Sequence, residues 1–179
     1  MRVLILLVTI FCLTSCHPDK NKPVDLEKLR YQSTDASEIY FRNMRRSYYE
    51  IEENKEAAID LYTLSGYDEF DQAYLIPTIA FNWRNDFAAI MLNRSAKLEN
   101  EENLVMLFEN EKGSQKLLLN EGDISTQTTV AVKVYNGILK NDEIFLVLNR
   151  QKQALFRDNE EKELFRITIF DFLRFVEMR

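Results

Sequence analysis

Histidine is nearly absent: the only one in 179 residues is His17. A Ser-His-Asp or Cys-His catalytic set needs an imidazole inside the folded domain to take and return the nucleophile's proton, and none is expected there. Cysteine is as scarce, with only Cys12 and Cys16, both near the start. Zinc held by His and Cys, haem, iron–sulfur and thiol redox centres are therefore not expected, and no metal or cofactor is assigned. The four glycines, Gly66, Gly113, Gly122 and Gly137, form no phosphate-cradling loop. Low glycine and proline also exclude collagen-like and low-complexity classes. Positive charge is in deficit, 23 Lys and Arg against 29 Asp and Glu, for a formal charge of −6. That balance argues against a nucleic-acid partner, which needs a basic face.

The N-terminus carries an address. After Met1-Arg2, residues 3–13 hold no charge, and Thr14-Ser15-Cys16 follows. A positive start and a short apolar stretch match a secretory signal, and the stretch is too short for the roughly 20 residues of a spanning helix. Leu13-Thr14-Ser15-Cys16 resembles a bacterial lipobox: an aliphatic residue, two small residues, then cysteine. The resemblance implies that the Cys16 thiol receives a diacylglycerol and that cleavage removes residues 1–15. Cys16 then becomes the lipidated first residue, and the membrane is a partner through its acyl chains. One chain anchors only marginally, so two or three are implied. Cys12 leaves with the signal and Cys16 is alkylated, so no intrachain disulfide forms. Residue 17 is His, not the Asp that marks inner-membrane retention in enteric-type lipoproteins; by that resemblance the protein sits on the outer membrane, facing the periplasm. The whole is similar in type to uncharacterised envelope lipoproteins of diderm bacteria, a likeness that carries no functional motif.

The rest divides into a tether, residues 16–36, and one globular domain, residues 37–179. The tether is polar, holds Pro18 and Pro23, and has sparse aliphatics, Val24, Leu26 and Leu29. Fully extended, its roughly 20 residues would reach about 60–70 Å. In the domain, residues 59–64 alternate apolar and polar as a strand. Residues 73–82 and 87–92 flank Trp83-Arg84-Asn85-Asp86 as a hairpin with a four-residue loop. Residues 104–108 and 115–119 flank a second loop at 109–114. Residues 144–148 read as a central strand and 164–169 as another. The aromatics of 38–51 favour strand over helix there. Residues 125–140 space Val130, Val134, Tyr135, Ile138 and Leu139 on one helical face, although Thr128 to Val134 is β-branched enough to suit a strand. Residues 171–178 read as a short helix. The expected fold is α+β: mainly antiparallel hairpins with one central and one short C-terminal helix.

Two kinds of chemistry remain. Carboxylates alone can hydrolyse a glycan when one acid is kept protonated and a second is ionised. Asp68, Glu69 and Asp71, with Asp86, are the candidates, and a carboxylate-dependent glycan or cell-wall hydrolase is the alternative function. A non-catalytic binding or interaction domain, taking a protein or envelope-glycan partner, is the preferred one. Its candidate contacts are Trp83, Arg84 and Asp86 at the hairpin tip, where a ring could stack on a ligand while charged groups hydrogen-bond it.

Overall fold

The computed structural model describes residues 22–67, 73–98, 101, 103–120 and 122–179. Helix α1 (Asp35–Met44) leads into strands β1 (Tyr49–Asn54) and β2 (Ile59–Leu64), then β3 (Leu75–Asn82) and β4 (Phe87–Arg94). Strands β5 (Asn103–Asn110) and β6 (Gly113–Asn120) follow, then α2 (Ile124–Leu139), β7 (Glu143–Leu148), β8 (Gln151–Ala154) and α3 (Asn159–Phe175). Every named pairing is antiparallel. The strands form two four-stranded sheets, ordered β1-β2-β3-β4 and β6-β5-β7-β8. The fold is α+β, with hairpins as its main unit.

Local chemistry explains where the elements differ from expectation. Segment 38–51 is helical through Met44 rather than extended. The Thr34 hydroxyl accepts from the Ser37 amide at 3.3 Å while the Ser37 hydroxyl accepts from the Thr34 amide at 3.0 Å, a reciprocal cap that starts α1. Phe41 is then buried against Tyr49, Tyr62 and Phe175, with ring centroids 5.0–5.4 Å apart. Residues 164–169 are not a strand. They continue α3, which is 17 residues long rather than the short helix expected at 171–178. Asp158 caps it, and Phe165, Ile169 and Phe172 recur at helical spacing on its buried face. In α2 the β-branched run is overridden by burial: Thr128, Val130, Val132 and Val134 all lie inside. The second hairpin turns on only Glu111 and Lys112, because the ladder runs on to Asn110 and Gly113. Gly113, at φ +138°, takes a conformation that other residues rarely adopt. Pro77 sits inside β3, where the β2 ladder stops at Thr78 while the β4 ladder runs through to Leu75. A proline has no N–H to give to a second neighbour.

One continuous core joins both sheets, and α2 is the joint. It lies along the outer edge of β4 and packs on β7 and β6 as well. The Thr128 hydroxyl accepts from the Ile90 amide at 2.9 Å, and the Gln127 side chain accepts from the Leu92 amide at 2.9 Å. Thus β4 has part of its edge occupied by helix side chains, which hides amides that would otherwise invite another strand. Farther along α2, a Cβ on Gly137 would stand 2.9 Å from the Phe108 ring, so only glycine lets the helix rest this close to β5.

Residues 22–34, expected within a flexible tether, lie along the domain as a strap. Asn136 clamps Val24 from both sides: its Oδ1 accepts from the Val24 amide at 2.7 Å and its Nδ2 donates to the Val24 carbonyl at 2.8 Å. Val24 is buried, and Leu26 and Leu29 pack on the core. The Ala88 amide donates to the Tyr31 carbonyl at 2.7 Å, and Gln32 forms a bridge with Phe87. The Tyr31 ring stacks on Phe87 with centroids 5.6 Å apart. Composition alone did not show this, because few aliphatics suffice when backbone amides find partners.

Candidate functional site

The tip of the β3–β4 hairpin holds the three predicted contact residues together. The Trp83 amide donates to the Ala58 carbonyl at 3.2 Å, and the Asn85 amide to the Asn82 carbonyl at 3.3 Å. The Arg84 amide donates to Asn82 Oδ1 at 3.1 Å. Asp86 takes the left-handed conformation at φ 51°, and its carbonyl accepts from both the amide and the hydroxyl of Ser33 on the strap. The turn is therefore fixed by its backbone, which leaves the side chains to face outwards. Trp83 is 41% exposed, too open to be a core plug, and the Arg84 guanidinium lies 5.3 Å from its ring centre. A cation over an indole face gives an amphipathic contact patch.

Of the carboxylate candidates, Asp86 stands at this tip. Asp68, Glu69 and Asp71 lie outside the described residues. Cys16 and residues 1–15 also lie outside the described residues.

A concavity with no counterpart among the predicted site residues lies at the end of α2. Helix α2 ends in a Schellman turn: Asn141 is left-handed at φ 59°, the Asp142 amide reaches back to the Gly137 carbonyl at 2.9 Å, and the Asn141 amide to that of Ile138 at 3.1 Å. This turn delivers Asp142 to the β5–β6 tip, where its Oδ1 accepts from Asn110 Nδ2 at 2.7 Å. Between the two turns opens a cleft of about 850 Å³ lined by Glu109, Asn110, Lys112, Lys140, Asn141 and Asp142. A smaller groove of about 160 Å³ continues it beneath Leu26, between Lys133 and Asn136 on α2 and Leu117 on β6. The only sequence signal here was a cluster of loop-forming Asn and Asp residues, which marks turns and not ligands.

Among the described residues, the most buried charged group serves the fold. Asp171 is 4% exposed, and its Oδ2 accepts from Arg45 Nε at 2.8 Å and from the Tyr49 hydroxyl at 2.7 Å. Burial pulls the Arg45 pKa down, but the hydrogen bond and charge of Asp171 outweigh it and leave it raised. Burial, reinforced by the Asp171 charge, pushes the Tyr49 phenol far up, so it stays a neutral donor. This triad pins the α1–β1 corner to α3. Among the described residues, no group of three or more His, Cys, Asp or Glu side chains is placed to hold a metal ion, and no helix is long and apolar enough to cross a membrane.

Comparison of the chain with known families, with curated proteins and with solved structures finds no match in any of the three.

Proposed function

We propose that the protein is a lipid-anchored envelope lipoprotein whose domain is a non-catalytic binding module, held on the outer membrane and facing the periplasm. Its partner is a protein or an envelope glycan, engaged through Trp83 and Arg84. The observation that carries the binding reading is the exposed Trp83 on a turn whose backbone is already fixed by Ala58, Asn82 and Ser33. A large ring displayed without the entropic cost of ordering its loop is the usual centre of a contact surface. The anchor rests on Leu13-Thr14-Ser15-Cys16.

Two measurements test this reading. Palmitate should label the wild type but not Cys16→Ala, which should leave the membrane fraction; an unlabelled wild type ends the lipoprotein reading. Crosslinking of the tagged protein in its envelope should capture one partner, with yield falling at least roughly tenfold in Trp83→Ala, as for a residue at an interface centre. Capture unchanged by Trp83→Ala and Arg84→Ala overturns the assignment of the site.

A further inference from the structure

We infer that the free edge of β1 takes up an extended segment of a partner protein as a further antiparallel strand, one whose residues alternate between basic and apolar. Neither Trp83 nor the lipid anchor is needed for it. The two edges of the β1-β2-β3-β4 sheet are built differently. At β4, Thr128 and Gln127 occupy the amides of Ile90 and Leu92, and the strap adds to the start of the strand, with Gln32 bridging Phe87 and the Ala88 amide donating to the Tyr31 carbonyl. The β1 edge has no such cover among the described residues, and Glu50 to Asn54 are all exposed. Its register shows which backbone groups are open. The Ser65 amide donates to the Tyr48 carbonyl at 3.0 Å, so the bonded rungs to β2 fall at 50, 52 and 54. The amides and carbonyls of Ile51 and Glu53 therefore point outwards, as does the Tyr49 carbonyl, while the Arg46 carbonyl takes the Tyr49 amide. Such a row of alternating donors and acceptors matches an extended chain.

Side chains define what that chain must carry. Ile51 shares the face of Tyr49 and Tyr62, against which Phe41 of α1 packs. Met44, Tyr48 and Ile51 are three of the six large apolar side chains exposed among the described residues, and they follow one another through the end of α1, the turn and β1. The three arginines of this stretch are already paired, Arg42 with Glu38, Arg45 with Asp171 and Arg46 with Glu53. On the other face Glu50 and Glu52 have no ion-pair partner among the described residues, and Lys55 and Glu56 in the following turn offset each other. The residue set opposite Ile51 is thus best apolar, and its two neighbours, opposite Glu50 and Glu52, are best Lys or Arg. A second copy of this chain does not fit: antiparallel pairing of two β1 strands about Ile51 sets Glu50 of each against Glu52 of the other.

The test titrates the full chain into a fluorescein-labelled peptide of alternating lysine and valine and follows the anisotropy. The peptide should bind, and its counterpart of alternating glutamate and valine should not. In the antiparallel register the valine amides face β1 and the lysine amides face solvent. N-methylation of the valines should therefore weaken binding roughly tenfold, as for the loss of two hydrogen bonds, while N-methylation of the lysines should leave it close to the parent. Exchanging both exposed acids, Glu50→Lys with Glu52→Lys, should weaken the lysine peptide roughly tenfold, because two opposite-charge rungs become like-charge ones, and should admit the glutamate peptide instead. Equal affinity of the two methylated peptides overturns strand addition. Binding of the lysine peptide that is unchanged by the charge exchange overturns the placement on β1, and equal binding of lysine and glutamate peptides overturns the basic character of the partner. No binding of the lysine peptide overturns the whole.

Discussion

At the scale of single residues, the least replaceable contacts are those that the sequence presented as ordinary. Arg45, Tyr49 and Asp171 are three among many charged and aromatic side chains, yet they meet on one buried carboxylate oxygen. Replacing Arg45 by Met leaves Asp171 with its charge uncompensated, and the expected loss is about 3 kcal/mol in urea unfolding, towards the low end for a buried pair because Arg45 is itself part-exposed. The double variant Arg45→Met, Asp171→Leu should recover part of that loss, because it removes the orphaned charge as well. A double variant less stable than the single would show that the carboxylate has other partners that matter more. The same scale explains why Asn136 was not legible. An amide mid-helix has no pattern of its own; its role appears only when a backbone 112 residues away offers both a donor and an acceptor.

Elements were legible where their periodicity agreed with their neighbours, and illegible where burial decided. The β3–β4 hairpin, with its loop at 83–86, is as its two apolar runs and the polar turn between them predict. Strand β7 lies between β5 and β8, as its short apolar run implies. Residues 164–169 read as a strand because Phe165, Ile167 and Ile169 alternate, but Phe172 and Phe175 extend the pattern at helical spacing, and the longer period wins once Asp158 supplies a cap. Strand β8 carries no apolar pattern at all; Gln151 to Ala154 are held by the ladder to β7, by Gln153 Nε2 donating to the Ala73 carbonyl at 2.8 Å and by the pairing of Lys152 with Glu109. The clearest element-scale prediction concerns the shielded edge of β4. Thr128→Val keeps the shape but removes the hydroxyl that accepts from Ile90, which is fully buried. An orphaned buried amide costs about 1–3 kcal/mol. Hydrogen exchange at Ile90 should accelerate more than at Ile79 on β3, and uniform acceleration would refute a local role.

For the whole molecule, pH reports on the core. Burial is the main cause that raises the pKa of Tyr49, Tyr62 and Tyr67, with Asp171, Asp60 and Glu161 adding to it through their charges. Each folded value lies above the unfolded one, so each phenol contributes stability that is complete below about pH 10 and is lost as the pH rises further. The unfolded chain can then shed a proton that the folded chain keeps. Between about pH 10 and 11 the loss should approach 1 kcal/mol per tyrosine. The tyrosinate absorbance of these three should accordingly appear together with the loss of ellipticity. Ionisation of all eight tyrosines before any unfolding would contradict the burial of these three.

The strap has one more consequence, for the order in which the molecule can be completed. A ribosome releases residues 22–34 first, yet their partners come much later: Asn136 is 112 residues after Val24, and Met178 is 148 residues after Arg30. At about 5–20 residues per second, those partners follow after roughly 6–30 s. Through that interval the β4 edge lacks α2, and the strap can reach neither Asn136 nor the C-terminal residues. The N-terminal residues are thus made first and seated last, and the nascent chain most needs a holdase while its final helix is still unmade.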